Sequence, residues 1–222
     1  MAQDNELTHM PYTPRWESGE RSLVLVPASP DQPEQSPSPV LCFLHGHQEA
    51  RTGKHPLGPA AHRSPAYHAL RGDPLTRGFL IVCPQRDEPG RWTPNDAEGV
   101  HALLNSAIAE HRGDENRIYL TGFSYGGDAV LRFPTYSGGD RFQKLWAVDP
   151  AVDNETPALP ANRPLLIHYG VHFPQMTSFL DDWKSRGKPG EVRLKDTDFE
   201  HVATCRAAYA DSEAYKWLEE RG

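Results

Sequence analysis

The sequence predicts a single α/β domain, spanning residues 1–222, built on a mostly parallel central sheet with helices on both faces. Short apolar runs of strand length alternate along the chain with longer segments that suit helices. Several of these runs are apolar without interruption, which is typical of strands covered on both faces. A length of 222 residues is enough for one domain with a substantial core,.

The predicted strands leave room for a helix between most of them. They comprise residues 21–26, 39–44, 79–84, 118–120, 145–148, 164–169 and 191–195. The proline-rich stretch of residues 28–39 is expected to connect the first two strands, and residues 1–20 to form a peripheral segment. No long insertion separates residues 145–148 from residues 164–169, so no large lid domain is expected.

The predicted helices are indicated by capping residues and by apolar positions three to four residues apart. They comprise residues 64–70, 96–112, 126–133, 177–186 and 203–220. Ser64 followed by Pro65 is a typical helix start, and Asp96 is expected to cap the second helix,. Strands that alternate with helices predict a parallel sheet, because the crossover between parallel strands usually carries a helix.

Charge and composition argue against nucleic acids and membranes as partners. The chain has 23 Lys and Arg against 30 Asp and Glu, and a formal charge of −7 gives it no attraction for phosphate backbones or anionic lipid,. No apolar run approaches the roughly 20 residues that a membrane span needs. The first residues lack the basic start and apolar centre of a secretory signal,.

The three cysteines, Cys42, Cys83 and Cys205, leave an odd thiol after any pairing. Cys42 and Cys83 lie within apolar runs, so we expect buried, reduced thiols and neither a disulfide framework nor a metal site,. These observations predict a cytoplasmic protein that uses no cofactor or metal, and they leave the oligomeric state open.

The most informative segment is the pentapeptide Gly122-Phe123-Ser124-Tyr125-Gly126, which lies between a predicted strand and a predicted helix. A nucleophilic serine must project from a sharp strand-to-helix turn that leaves little room for neighbouring side chains. Glycines two residues before and after the serine meet this requirement. The alternative is a glycine-rich turn with an incidental serine, but the flanking strand and helix favour Ser124 as a nucleophile,.

Residues 114–127, which include this turn, resemble the nucleophile region of α/β-hydrolase esterases. The resemblance is strongest to the compact phospholipase/carboxylesterase and polyhydroxybutyrate-depolymerase-like branch. Three further segments agree with it, namely the strand ending in His45-Gly46, the pair Pro84-Gln85 with Trp92 downstream, and His201 before a terminal helix. The resemblance spans about residues 39–218 and implies the α/β-hydrolase fold, with Gln85 and Trp92 beside the substrate cleft.

A serine hydroxyl is a weak nucleophile until an imidazole accepts its proton, so a histidine must reach Ser124. The best candidate is His201, which follows the last predicted strand, and serine before histidine is the right order for this fold,. The oxyanion of an acyl-transfer intermediate also needs two hydrogen-bond donors. The first is expected to be the backbone N–H of Tyr125, and the resemblance implies the backbone N–H of His47 as the second.

The acid that would orient His201 is where the sequence departs from the family pattern. The family places an Asp shortly beyond the strand that is residues 164–169 here, but Phe173 occupies that position. Asp149, at the end of the preceding strand, is the first substitute, followed by Asp153 and then Asp181. A serine–histidine pair without an acid and an inactive relative are the remaining alternatives.

The leading hypothesis is a serine esterase that cleaves small or medium carboxylic esters, its small-molecule substrates, through an acyl-enzyme intermediate. A thioesterase or small peptidase of the same fold would apply the same residues to a different bond. The third hypothesis is a weakened hydrolase fold that binds a ligand or partner, and the absent family Asp is its support. The site is expected to be shallow and open, with Arg51, Arg86 and Arg91 as candidates to meet a substrate carboxylate.

Overall fold

Eight strands form one sheet in the computed structural model, which describes residues 12–16, 22–27, 36–52, 64–156, 163–171, 175–185 and 191–220. The strands are β1 (Tyr12–Trp16), β2 (Ser22–Pro27), β3 (Ser38–Leu44), β4 (Leu80–Pro84), β5 (Gly113–Phe123), β6 (Lys144–Val148), β7 (Leu165–Tyr169) and β8 (Val192–Asp196). Their order across the sheet is β1-β2-β4-β3-β5-β6-β7-β8. The β1–β2 and β2–β4 pairings are antiparallel and all others are parallel, which confirms the predicted mostly parallel sheet.

Helices cover both faces of this sheet, as predicted. They are α1 (Pro65–Leu70), α2 (Pro94–His111), α3 (Tyr125–Arg132), α4 (Gln175–Ser185), α5 (His201–Tyr209) and α6 (Ser212–Glu219). Side chains of α2, α3 and α4 belong to one hydrophobic cluster, and those of α1, α5 and α6 to a second. Within β3, Cys42 and Leu44 belong to the first cluster, whereas Leu41 and Phe43 belong to the second. Because successive strand residues point to opposite faces, two covered faces explain the uninterrupted apolar run.

Two helix predictions are wrong in detail. Helix α2 begins at Pro94 because Thr93 is its N-cap: the Thr93 hydroxyl accepts from the Asp96 backbone N–H, and the Asp96 carboxylate accepts from the Thr93 N–H. Asp96, the expected cap, is therefore the third helical residue of a capping box. The predicted helix of residues 203–220 is two helices, α5 and α6, because the Asp211 carboxylate caps a new helix by accepting from the Glu213 N–H.

The edge strand β1 is absent from the sequence prediction, which treats residues 1–20 as a peripheral segment; it pairs with β2 along the edge of the sheet. Phe173 and most of the loop of residues 48–63 lie outside the described residues. Within the described part of the chain no large lid domain is present, as expected.

The sequence-predicted site residues lie at the carboxyl ends of the parallel strands, along one side of the sheet. Ser124 directly follows β5, Asp149 directly follows β6, and His47 comes shortly after β3. His201 follows β8 and opens α5. In open α/β sheets this carboxyl edge is where ligands bind.

The three cysteines are buried, as expected, and form no disulfide among the described residues. Within the same ranges, no helix has the length and apolar character that crossing a membrane requires. No group of three or more His, Cys, Asp or Glu side chains there is arranged to hold a metal ion.

Candidate active site

Ser124 lies at the turn between β5 and α3 with φ 59° and ψ −116°. A non-glycine residue in the positive-φ region costs on the order of 1–3 kcal/mol, so surrounding contacts must hold it there. Its N–H donates to the Val148 carbonyl at 3.0 Å, and its carbonyl accepts from the Ala151 N–H at 3.1 Å. Gly126 makes the turn sterically possible, because a Cβ on it would lie 1.9 Å from the Leu44 carbonyl oxygen. The sharp turn predicted from the sequence is therefore present.

The side chain of His201 contacts a carboxylate, with Nδ1 2.6 Å from Asp149 Oδ2. Asp149 is 1% exposed, and its Oδ1 accepts from the Gly170 N–H at 2.9 Å. An ionised carboxylate only accepts hydrogen bonds, so Nδ1 carries the ring proton and Nε2 is left able to accept one. Of the three carboxylates considered, the structure thus brings Asp149 to the imidazole, whereas Asp153 pairs with arginines and Asp181 is exposed on α4.

The ring of His201 also packs on Phe123, the residue before Ser124, with ring centroids 4.3 Å apart and an interplanar angle of 30°. The histidine is the first residue of α5, and its side chain is 20% exposed. These contacts place the imidazole beside the strand end that carries Ser124. The Asp149 carboxylate and the His201 imidazole, from distant parts of the chain, are therefore in contact beside the end of β5, which Ser124 directly follows.

The two expected oxyanion donors lie on segments that adjoin at Ser124. His47 opens the 3-10 turn His47–Glu49 after β3, and Tyr125 opens α3. The first backbone N–H groups of a helical segment have no acceptor within the segment, so they can donate hydrogen bonds to an anion at its N-terminus. The rings of His47 and Tyr125 meet edge to face with centroids 5.3 Å apart. Gly46 lies against Ser124, because a Cβ on Gly46 would be 3.2 Å from Ser124 Cβ.

Solved structures share this arrangement of strands and helices over nearly the whole chain. A thermostable esterase aligns with a TM-score of 0.67 at 19% identity, covering 93% of this chain and 61% of its own. FphF of Staphylococcus aureus, a fluorophosphonate-binding serine hydrolase, aligns with a TM-score of 0.67 at 14% identity, covering 95% of this chain and 98% of its own. A ferulic acid esterase aligns with a TM-score of 0.65 at 15% identity, covering 93% of this chain and 96% of its own.

The protein has the α/β-hydrolase fold. The chain spans about 61% of the length of the thermostable esterase. No family model and no curated protein matches the sequence.

In this α/β-hydrolase fold, Gln85 and Trp92 hold the segment that carries His47. Trp92 Nε1 donates to the His45 carbonyl at 3.0 Å, and Gln85 Nε2 donates to the Glu49 carbonyl at 2.9 Å. Both residues also line a cavity of about 570 Å³ beside α2. Trp92 is only 4% exposed, so most of its ring packs in the core. Their contact with substrate remains a prediction.

The buried His45 fixes the shape of the same segment. Its Nε2 accepts from the Arg86 N–H at 3.0 Å, so Nδ1 carries the proton and donates to the Gly46 carbonyl at 2.6 Å. Burial lowers the pKa of His45 to about 4, and the ring is therefore neutral near pH 7,. A neutral ring is required for this pattern, because a charged imidazole has no acceptor atom.

The arginines near the site meet carboxylates of this chain. Arg51 Nε lies 3.0 Å from Asp87 Oδ1, and Arg86 Nε lies 3.3 Å from Asp96 Oδ2. Arg91 binds the carboxylates of Asp128 and Asp153, at 2.7 Å and 2.9 Å. These internal pairs weaken the expectation that the arginines meet a substrate carboxylate.

Sequence reasoning missed a buried polar network along α3. Asp128 is 1% exposed and accepts from Arg91 Nη1, Arg132 Nε and Thr156 Oγ1, each at 2.7 Å. The available signal was the spacing of Asp128 and Arg132, since residues four apart share one face of a helix. Their partners at residues 91 and 156 carry no comparable signal in the sequence.

Proposed function

We propose that the protein is a serine hydrolase that cleaves small or medium carboxylic esters through an acyl-enzyme intermediate. The observation that carries this proposal is the 2.6 Å contact between His201 Nδ1 and Asp149, on a ring that packs beside the Ser124 turn. The contact leaves Nε2 as the acceptor, which is the tautomer that a general base requires. The esterases and serine hydrolases among the structural neighbours agree with this chemistry.

In the proposed reaction, Ser124 Oγ attacks the ester carbonyl carbon while its proton passes to His201 Nε2. The carbonyl oxygen becomes an oxyanion that accepts hydrogen bonds from the N–H groups of Tyr125 and His47. When the tetrahedral intermediate collapses, the alkoxide leaves and takes the proton from His201. Water then attacks the acyl-enzyme with His201 as base, which releases the carboxylic acid and restores Ser124. Asp149 stays ionised throughout and stabilises the imidazolium.

Two exposed apolar side chains support substrates with an apolar substituent. Val171 and Phe199 are 55% and 49% exposed, and they are the large hydrophobic residues exposed in the described part of the chain. The Val171 N–H donates to the Phe199 carbonyl at 3.2 Å, so the two segments are joined. Phe199 comes two residues before His201, and Val171 follows Gly170, which binds Asp149. We therefore assign this pair to contact with the apolar part of the ester.

The alternatives differ in how much the geometry supports them. A thioesterase or small peptidase would use the same residues, and an acylaminoacyl peptidase is among the structural neighbours, with a TM-score of 0.62 at 18% identity. The binding-protein hypothesis rested on the absent family Asp, and the contact of Asp149 with His201 removes that support. We propose that the protein acts in the cytoplasm. Its three free thiols support this proposal, because the cytoplasm keeps thiols reduced,.

Labelling with a fluorophosphonate, followed by mass mapping of the adduct, tests the proposed nucleophile. We expect one adduct on Ser124 in the wild type and in Ser212→Ala, a change of an exposed serine on α6, and none in Ser124→Ala. A panel of p-nitrophenyl esters, matched thioesters and aminoacyl p-nitroanilides then separates the three bonds. Faster turnover of thioesters or anilides than of esters would favour the alternative enzymes. Absence of any adduct would refute the nucleophile assignment.

A further inference from the structure

Three side chains form a row beside the candidate site, which we call the Arg91–Tyr125–His47 row. The Arg91 guanidinium lies over the Tyr125 ring, with Cζ 4.7 Å from the ring centroid. The Tyr125 ring in turn meets the His47 ring edge to face, at 5.3 Å and 88°. The row therefore connects the side chains of the two residues whose backbone N–H groups are the proposed oxyanion donors.

The arginine end of this row is held firmly. Arg91 Nη1 donates to Asp128 Oδ2 at 2.7 Å and to the Ala151 carbonyl at 2.9 Å, and Nη2 lies 2.9 Å from Asp153 Oδ2. Asp128 is a buried residue of α3, and the Ala151 N–H donates to the Ser124 carbonyl. Nη1 thus binds groups that are fixed to the Ser124 turn, and Nη2 adds the contact with Asp153; together these contacts orient the guanidinium over the Tyr125 ring.

The two donors come from separate elements, since Tyr125 opens α3 and His47 opens the turn after β3. Donors stabilise an oxyanion well only when their spacing is set before the reaction, because a loose pair must reorganise as charge develops. An edge-to-face contact between two rings is a weak tether on its own,. The Arg91 guanidinium over the face of the Tyr125 ring restricts that ring and so strengthens the tether,.

We propose that Arg91 is a positioning residue that sets the spacing of the two oxyanion donors through the Tyr125 and His47 rings. This role rests on the proposed function. It acts on the transition state, in which the oxyanion exists, and leaves ground-state binding of the ester nearly unchanged. Loss of Arg91 therefore lowers kcat and leaves KM in place.

Arg132 provides a matched control in the same network. It also binds Asp128 and Asp153, at 2.7 Å and 2.9 Å, but it then donates to the Glu155 carbonyl and the Thr156 hydroxyl and not to groups at the Ser124 turn. Its side chain is 13% exposed against 33% for Arg91, so its loss is expected to destabilise the fold at least as much. If both arginines only stabilised the fold, the melting temperature and kcat would fall together in the Arg91 and Arg132 variants.

The test compares Arg91→Gln, Arg132→Gln, Tyr125→Ala and the Arg91→Gln/Tyr125→Ala double variant, using p-nitrophenyl acetate kinetics and thermal melting. We expect kcat to fall about tenfold in Arg91→Gln, equivalent to about 1.4 kcal/mol, with KM within twofold of the wild type. Arg132→Gln keeps kcat within threefold and shows the larger fall in melting temperature. Tyr125→Ala lowers kcat by a similar factor. Because the two substitutions remove the same tether, kcat of the double variant should equal that of the slower single variant.

Three results would each overturn the positioning role and leave the proposed ester hydrolysis intact. They are equal losses of kcat in Arg91→Gln and Arg132→Gln, a change in Arg91→Gln that is confined to KM, and additive losses of kcat in the double variant. Should Arg91→Gln fail to fold, Tyr125→Ala decides: kcat within twofold of the wild type overturns the role. Wild-type protein that neither labels at Ser124 nor turns over any ester would refute the proposed function and this role with it.

Discussion

Replacing Asp149 by Asn tests the contact on which the proposed chemistry depends. Both carboxylate oxygens have a donor: Oδ1 accepts from the Gly170 N–H at 2.9 Å, and Oδ2 faces His201 Nδ1 at 2.6 Å. An Asn side chain has one oxygen and one amide nitrogen, so it can accept from only one of these donors. A backbone N–H cannot turn away, and we expect the Asn oxygen to face Gly170 and the NH2 group to face His201. Nδ1 must then accept, and the proton moves to Nε2.

This tautomer of His201 cannot accept the proton of Ser124. The expected fall in kcat is therefore that of an enzyme without its general base. A change of this kind lowers kcat by about 10³–10⁴-fold, equivalent to about 4–5.5 kcal/mol of transition-state stabilisation. The side-chain shape is kept, so KM for p-nitrophenyl acetate is expected to stay within threefold. The assay is steady-state hydrolysis of this ester near pH 7.5, with circular dichroism to show that the variant is folded.

Asp181→Asn is the matched control, since this carboxylate is exposed on α4, and its kcat should equal that of the wild type within twofold. A folded Asp149→Asn variant that keeps more than a tenth of wild-type kcat would refute the reasoning, because His201 would then work without a carboxylate on Nδ1.

Three further predictions follow from the described contacts. In Gly46→Ala the new methyl carbon would lie 2.8 Å from Glu49 Oε2 and 3.2 Å from Ser124 Cβ, so we expect kcat to fall at least about 100-fold,. In Gly99→Ala the new methyl carbon would meet no heavy atom within 4 Å beyond its chain neighbours and its own helix backbone. This variant should keep kcat and raise the free energy of unfolding by about 0.5–1 kcal/mol,. Phe199→Ser should reduce the preference for hexanoate over acetate esters severalfold through KM, with acetate turnover unchanged; an unaltered chain-length profile would contradict the assigned contact,. Burial lowers the pKa of His45 and His168 to about 4, so between pH 6.5 and 4 the unfolded chain binds protons that the folded chain does not, and at pH 5 urea unfolding should show a stability lower than at pH 7 by about 2 kcal/mol for each histidine,. A stability that stays level between pH 7 and pH 5 would show that these rings are not buried as neutral groups.

The fold and the sharp turn at Ser124 could be predicted from the sequence because their signals are local. A strand covered on both faces must be apolar at consecutive positions, as in β3 and β4, so its sequence reveals it directly. The turn at Ser124 needs glycine where another chain segment approaches within van der Waals contact, and Gly126 meets the Leu44 carbonyl there. Such requirements act on residues within a few positions of one another, which a pattern can express.

Helix ends were less predictable because capping depends on exchanged hydrogen bonds. Asp96 has the right residue type for a cap, yet Thr93 takes that position and Asp96 completes the reciprocal pair. Apolar periodicity across residues 203–220 does not show the break at Asp211, whose carboxylate caps α6 and also lies 3.2 Å from His168 Nε2. A contact with a residue 43 positions away decides the side-chain environment there.

The sequence by itself determined that a hydroxyl and an imidazole would lie at the carboxyl edge of one sheet. It left three carboxylates as candidates, because Asp149, Asp153 and Asp181 are all plausible by residue type and order. Only the tertiary structure decided among them, since β6 lies next to β5 and β7 and so brings Asp149 beneath the first turn of α5. The Arg91–Tyr125–His47 row has the same origin: its members come from three connections that meet only when the strands are side by side.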